Sequence, residues 1–97
     1  MKMPPSIQLF GKKWKVRKRQ PSSKSSVGEC DDEAMLIIVK PGMERALEQS
    51  TVLHECIHAI EMSLGLGLTE KQVLGLEAGM YDLLSSNPRL LSYLAEK

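Results

Sequence analysis

The chain has 97 residues, 42% of them hydrophobic, and a formal net charge of +1. This length argues against several domains and predicts a single domain over residues 1–97 with a thin core. Two cysteines are too few for the disulfide framework of a small secreted protein, and no apolar run is long enough to span a membrane. We therefore expect a reduced, soluble, cytoplasmic protein.

Charge is distributed unevenly along the sequence. Residues 1–28 contain eight Lys or Arg and no acid, whereas residues 29–97 contain five bases and all twelve acids. The basic part predicts one strand over residues 7–20, with cations alternating on one side. It is either an edge strand whose lysines prevent pairing with another sheet, which we favour, or a surface for nucleic acid or an acidic partner.

The segment that follows predicts a loop and then a hairpin. Residues 21–26 are polar and serine-rich, which is typical of a loop. Residues 27–39 predict a hairpin that ends in a buried apolar strand. Because all predicted strands precede the helical part of the chain, we expect an α+β fold that begins with a small antiparallel sheet.

Helical periodicity begins after this hairpin. It runs over about residues 43–64 without proline or glycine. Residues 69–72 form a capping box that starts a second helix, which ends near residue 85 or 86. Since only residues 65–68 separate the two helices, they should form an antiparallel pair. Asn87-Pro88 predicts the start of a short C-terminal helix.

The first helix carries the only two histidines of the chain, in the run His54-Glu55-Cys56-Ile57-His58. Their spacing of four places both imidazoles on one helical face, with Glu55 beside them. Two neutral imidazoles can hold zinc, and a neighbouring carboxylate can take a proton from zinc-bound water. The pattern predicts His54 and His58 as metal ligands and Glu55 as a general base. The alternative is a pair of buried histidines without a metal.

The expected helix pair also predicts a third ligand. Residues equally distant from the turn of an antiparallel pair lie at the same height, which places Glu77 level with His58. Glu77 interrupts an apolar stripe on its helix, and burying its charge is costly unless it is paired or bound to metal. We therefore predict Glu77 as the third ligand. The acids that match this position less well are Glu61, Glu70 and Asp82.

The spacing from His58 to Glu77 resembles that of the gluzincins, zinc peptidases with two histidines and a glutamate as ligands. More narrowly, residues 28–31, 51–60 and 83–88 resemble small HExxH metallopeptidases encoded by bacteriophages, over about residues 27–91. The resemblance implies a minimal zincin-like domain with a small antiparallel sheet, an active-site helix and a glutamate helix. Many gluzincins have an acid four positions after the ligand glutamate, whereas this chain has a tyrosine there.

We therefore predict a zinc-dependent metallopeptidase that hydrolyses peptide bonds. Zinc on His54, His58 and Glu77 would activate water, with Glu55 as the general base. Tyr81, expected level with His54, either donates to the developing oxyanion or packs between the helices.

A peptide or protein substrate is the expected partner, with no membrane involved. The substrate would add as a strand beside the one that ends at Val39, provided that this strand lies at an edge. The alternative function is a zinc-stabilised, non-catalytic module whose basic strand contacts nucleic acid or a host protein. Nucleic acid is the less favoured partner. If the chain is phage-encoded, as its resemblance implies, its location is the host cytoplasm.

Overall fold

All four strands precede the three helices in the computed structural model, which describes residues 1–97. The predicted α+β class is confirmed. No helix combines the length and the apolar character needed to cross a membrane. The elements are β1 (Ser6–Leu9), β2 (Lys12–Lys18), β3 (Gly28–Asp31), β4 (Leu36–Val39), α1 (Arg45–Leu64), α2 (Glu70–Ser85) and α3 (Pro88–Ala95).

The basic N-terminal segment forms a hairpin, so the single strand predicted over residues 7–20 is wrong. β1 pairs antiparallel with β2 across a two-residue turn, Phe10-Gly11. Both turn residues have positive φ, 51° and 75°, as in the type I′ turns that match the twist of paired strands. The turn was not evident in the sequence because an aromatic residue is rarely found at positive φ. The loop predicted at residues 21–26 contains no helix or strand.

The sheet is mixed rather than antiparallel. Its strand order is β1-β2-β4-β3, and β2 pairs parallel with β4 while the other neighbours are antiparallel. The predicted β3–β4 hairpin is thus present. β2 is internal, because it has β1 on one side and β4 on the other. The connection over residues 19–27 leads from β2 to β3 at the edge of the sheet, and β4 then pairs between them. The prediction of an edge strand at this point is therefore wrong.

The internal position of β4 also changes where a peptide could join the sheet. β4 pairs with β2 on one side and with β3 on the other. The strand ending at Val39 is consequently not an edge, and it cannot accept a substrate strand. β3 and β1 are the two edges.

One face of the sheet packs against α1 and forms the core. The buried side chains of this cluster alternate along β2 and β4 and meet one alanine of α1; they are Trp14, Val16, Ile37, Val39 and Ala59. α1 packs on β3 and β4, α2 packs on α1, and α3 packs on α2. The sheet therefore fixes α1 directly, while α2 depends on its contacts with α1.

The connection between α1 and α2 folds back along the last turn of α1. Gly65 ends α1 in the left-handed conformation, and Leu66 N–H donates to Glu61 O at 2.9 Å. Leu68 N–H then donates to Glu61 Oε2 at 3.2 Å. The predicted capping box is confirmed, because the Thr69 side chain accepts from Gln72 N–H and the Gln72 side chain accepts from Thr69 N–H. α2 thus begins beside the last two turns of α1.

Candidate metal centre

Helix α1 brings its two histidines together on the side that faces α2. The ring centroids of His54 and His58 are 4.9 Å apart, in an edge-to-face arrangement. Both rings are only slightly exposed, with 15% and 19% of each side chain accessible. This is the geometry that the four-residue spacing predicts for one helical face.

Glu70, the first residue of α2, faces the Nε2 atoms of both rings. Its Oε1 lies 3.0 Å from Nε2 of His54, and its Oε2 lies 3.3 Å from Nε2 of His58. These three side chains form a group that could hold a metal ion, with one ligand atom from each, all within 4.8 Å of one another. Ligands of a tetrahedral zinc with bonds of about 2.0–2.1 Å lie about 3.3 Å apart. The donor set is therefore compact enough to hold one metal ion.

Each histidine has a second carboxylate at its other nitrogen. Oε1 of Glu77 lies 2.7 Å from Nδ1 of His54, and Oε1 of Glu61 lies 3.3 Å from Nδ1 of His58. An ionised carboxylate only accepts hydrogen bonds, so a ring bonds to it through a protonated nitrogen. When Nδ1 of a neutral ring carries that proton, Nε2 presents a lone pair. Ligand histidines usually donate in this way to a carboxylate, which fixes the tautomer and the ring orientation.

With these tautomers, two Nε2 lone pairs and a carboxylate face one another. All three groups are then hydrogen-bond acceptors, and acceptors brought within about 3.3 Å repel unless a cation lies between them. One divalent metal ion between them would satisfy all three groups and leave Glu61 and Glu77 to orient the rings.

Glu77 lies beside a different histidine from the one that the sequence predicts. Glu77 was expected level with His58, but it contacts His54, while Glu70 lies opposite His58. The predicted register is wrong by about one turn, because the connection after α1 folds back along that helix. Glu77 as a direct ligand stays a prediction, with its carboxylate observed at Nδ1. No pattern in the sequence marks Glu70 beyond its position inside the capping box.

Glu55 follows His54 on α1 and lies against strand β3. It is one of two buried polar residues and is only 6% exposed. Burial raises the pKa of its carboxyl above the ordinary 4.5, and Glu70 and Glu29 add to this effect, while His54 and His58 oppose it. A carboxylate with a raised pKa is a stronger base than an exposed one, as proton transfer near neutral pH requires.

A groove with a volume of about 420 Å³ opens beside Glu55 and the metal-binding group. Its walls are the loop that leads into β3 and the facing sides of α1 and α2. Three of its side chains are apolar, namely Val27, Leu47 and Leu74, and it contains no Lys or Arg. The groove thus joins Glu55 to His54, Glu70 and Glu77 in one depression.

Tyr81 and the cysteines do not join this site. Tyr81 O–H donates to Gln49 Oε1 at 2.9 Å, more than one turn before His54, and the tyrosine does not line the groove. Burial raises the pKa of Cys30 to about 12, with a smaller contribution from the nearby Glu55 carboxylate. Its Sγ lies 4.0 Å from the sulfur of Met62. A thiol with this pKa stays protonated near neutral pH and is a poor metal ligand.

Comparisons with protein families, curated proteins and solved structures find no match to this chain.

Proposed function

We propose that this chain is a zinc-dependent metallopeptidase in which His54, His58 and Glu70 hold the metal. The observation that carries the proposal is the convergence of one carboxylate on two Nε2 atoms, while each Nδ1 has a carboxylate of its own. A set of two imidazoles and one carboxylate is typical of catalytic zinc, which keeps an open position. When bound, zinc would polarise a substrate carbonyl and make a water molecule acidic enough to react near neutral pH.

Glu55 is the general base in this proposal. Its buried carboxylate takes the proton of the attacking water and later gives a proton to the leaving amine. Glu77 and Glu61 act through the histidines, because each accepts from an Nδ1–H and thereby directs Nε2 toward the metal. The roles of acid–base catalyst and of ring-orienting acids thus belong to different carboxylates.

The proposal also includes a zincin-like arrangement with α1 and α2 as an antiparallel pair. It is supported by contacts that run in opposite order along the two helices: Gln49 with Tyr81, His54 with Glu77, and His58 with Glu70. A peptide substrate would lie in the groove beside β3, whose outer edge is unpaired. Main-chain hydrogen bonds to such an edge give affinity without demanding one sequence.

Zinc content distinguishes the two possible third ligands. Elemental analysis after dialysis should find about one zinc per parent chain and per Asp82→Asn chain, an exposed-acid control on α2. Glu70→Ala should lose the metal, whereas Glu77→Ala should keep it with about 10–100-fold weaker affinity, as expected when a residue behind a ligand is removed. Retention by Glu70→Ala together with loss by Glu77→Ala would overturn the assignment and make Glu77 the ligand.

Cleavage tests the peptidase function separately. The zinc-loaded parent should degrade an unfolded protein such as casein, and Glu55→Gln should retain zinc while losing this activity by about 10²-fold or more. The peptidase function would be excluded if the parent and Glu55→Gln bind equal amounts of zinc and the parent cleaves nothing in a panel of unfolded proteins and peptides. The chain would then be a metal-stabilised module.

A further inference from the structure

The face of the sheet turned away from α1 carries a row of cations on β2. Trp14 and Val16 point into the core, so the residues that alternate with them lie on the opposite face. These residues are Lys13, Lys15 and Arg17. Residues two apart in a strand are separated by about 6.8 Å, which is close to two nucleotides of a stacked strand that rises about 3.4 Å per nucleotide.

This row is not explained by the position of β2 in the sheet. Lysines on an edge strand prevent pairing with another sheet, but β2 is hydrogen-bonded to β1 and to β4. The residues in register with Lys13 and Lys15 on β1 are Gln8 and Ser6, and Leu36 lies in register with Lys15 on β4. No acid lies directly beside these two lysines, so neighbouring strands do not neutralise the row.

Arg17 is held in place by the backbone. Its Nη1 donates to Pro5 O at 2.7 Å and to Val16 O at 2.9 Å. A guanidinium held by two carbonyls loses less side-chain conformational entropy on binding than a free one. Its remaining N–H groups can still donate to an anion. The row therefore ends in an oriented cation.

Phe10, in the turn of the same hairpin, is the second observation. Its side chain is 62% exposed and its φ is 51°. A type I′ turn favours Asn, Asp or Gly at this position, and a bulky residue at positive φ is strained. Phe10 thus contributes neither to the core nor to an easy turn, and its exposed ring lies at the turn that leads into Lys12 and Lys13 of β2. Exposed aromatics beside cations are the elements that bind single-stranded nucleic acid.

We propose that the β1–β2 hairpin binds single-stranded nucleic acid, with Lys13, Lys15 and Arg17 on phosphates and Phe10 stacked on a base. This face lies opposite the sheet surface that carries α1, so the inference does not depend on the metal centre or on peptidase activity.

The test is fluorescence anisotropy of a labelled oligothymidylate of about 20 nucleotides, titrated with the full chain at several salt concentrations. With three phosphate contacts, log affinity should fall against log salt with a slope of about −2, since each contact in a single strand contributes about −0.7. Lys13→Gln/Lys15→Gln should weaken binding about tenfold or more and reduce the slope by about 1.4.

The matched control is Arg89→Gln/Lys97→Gln, which changes net charge equally at the C-terminal end of the chain. It should bind like the parent. Phe10→Asn should bind about fivefold or more weakly, as expected from lost stacking, while its melting temperature rises because Asn tolerates the turn. This combination of weaker binding and higher stability separates a binding role from a structural one.

Three results would overturn the proposal. The first is no binding by the parent at low salt. The second is an equal loss in the control double variant, which would indicate attraction by net charge alone. The third is unchanged affinity in Phe10→Asn with equally tight binding to vesicles rich in anionic lipid, which would identify a membrane surface instead of a nucleic acid.

Discussion

A methyl group on Gly28 would lie 2.7 Å from Oε2 of Glu55. It would also lie 2.8 Å from Cγ2 of Thr51, one turn earlier on α1. Real Cβ atoms do not approach other atoms so closely, and Gly28 needs no unusual φ. The glycine is therefore required for space: strand β3 approaches α1 at the point where the proposed general base is buried.

Gly28→Ala should displace Glu55 and lower both stability and cleavage. Overpacking of this kind costs about 1–3 kcal/mol, and the loss of cleavage should exceed the loss of bound zinc, because the histidines are not displaced. Gly75→Ala is the matched control, since a Cβ there meets nothing within 4 Å and alanine favours the helix by up to about 1 kcal/mol. Thermal unfolding of both variants checks the prediction. If Gly28→Ala is as stable and active as the parent, the Glu55 side chain can move away from the added methyl group without loss of function.

Glu55→Gln should stabilise the metal-free protein near neutral pH. Because burial raises the pKa of Glu55 in the folded chain, the folded state binds more protons than the unfolded state above about pH 4.5. The parent therefore loses stability as pH rises through the interval between the unfolded and the folded pKa. Glutamine removes this loss, so its advantage should be small near pH 4 and larger near pH 7.

Melting temperatures of the metal-free parent and of Glu55→Gln across this pH range provide the measurement. Glu33→Gln, at an exposed acid in the β3–β4 turn, controls for the loss of one charge. A constant difference between parent and Glu55→Gln at all pH values would contradict the linkage.

Glu61→Gln should weaken metal binding without removing a ligand. The two carboxylate oxygens of Glu61 accept separately, one from His58 and one from Leu68 N–H. An amide offers only one acceptor oxygen, so one of these contacts is lost. We expect about 10–100-fold weaker zinc affinity by chelator competition, with Asp82→Asn unchanged. Unchanged affinity in Glu61→Gln would mean that this residue only holds the connection between the helices.

Both cysteines should react slowly in the folded protein. Burial raises the pKa of Cys30 to about 12 and that of Cys56 to about 11, so few thiolates exist at about pH 8. Alkylation by iodoacetamide, followed by mass spectrometry, should be much slower than that of glutathione and should become rapid in denaturant. Cys30→Ser should keep its zinc. Rapid native alkylation of Cys30, or loss of zinc in Cys30→Ser, would point to a thiolate near the metal.

The helices could be predicted from the sequence because their signals are local. The capping box at residues 69–72, the proline at the start of α3 and the apolar periodicity of α1 each act within a few residues. The spacing of His54 and His58 is likewise set by one helix. These features agree with the structure because no distant contact opposes them.

The strand order and the position of Glu70 depend instead on distant contacts. Nothing in the alternation of β2 shows that its partner is β4, which pairs with it in parallel at a separation of 21 residues. The level of α2 beside α1, that is, which residues of the two helices lie side by side, depends on how residues 65–69 fold back. It also depends on the hydrogen bond between Leu68 N–H and the Glu61 side chain. Estimating that level from linker length alone placed Glu77 level with His58, where the structure places Glu70.

α2 has only one buried residue, Val73, so little apolar surface attaches it to the rest of the molecule. Four side-chain hydrogen bonds or ion pairs join α2 to α1; three involve His54 or His58, and the fourth joins Tyr81 to Gln49. We therefore expect amide protons of α2 to exchange with solvent through a local opening that costs less free energy than global unfolding. A ligand shared between the helices would oppose this opening by mass action, so metal occupancy would determine how long α2 remains closed.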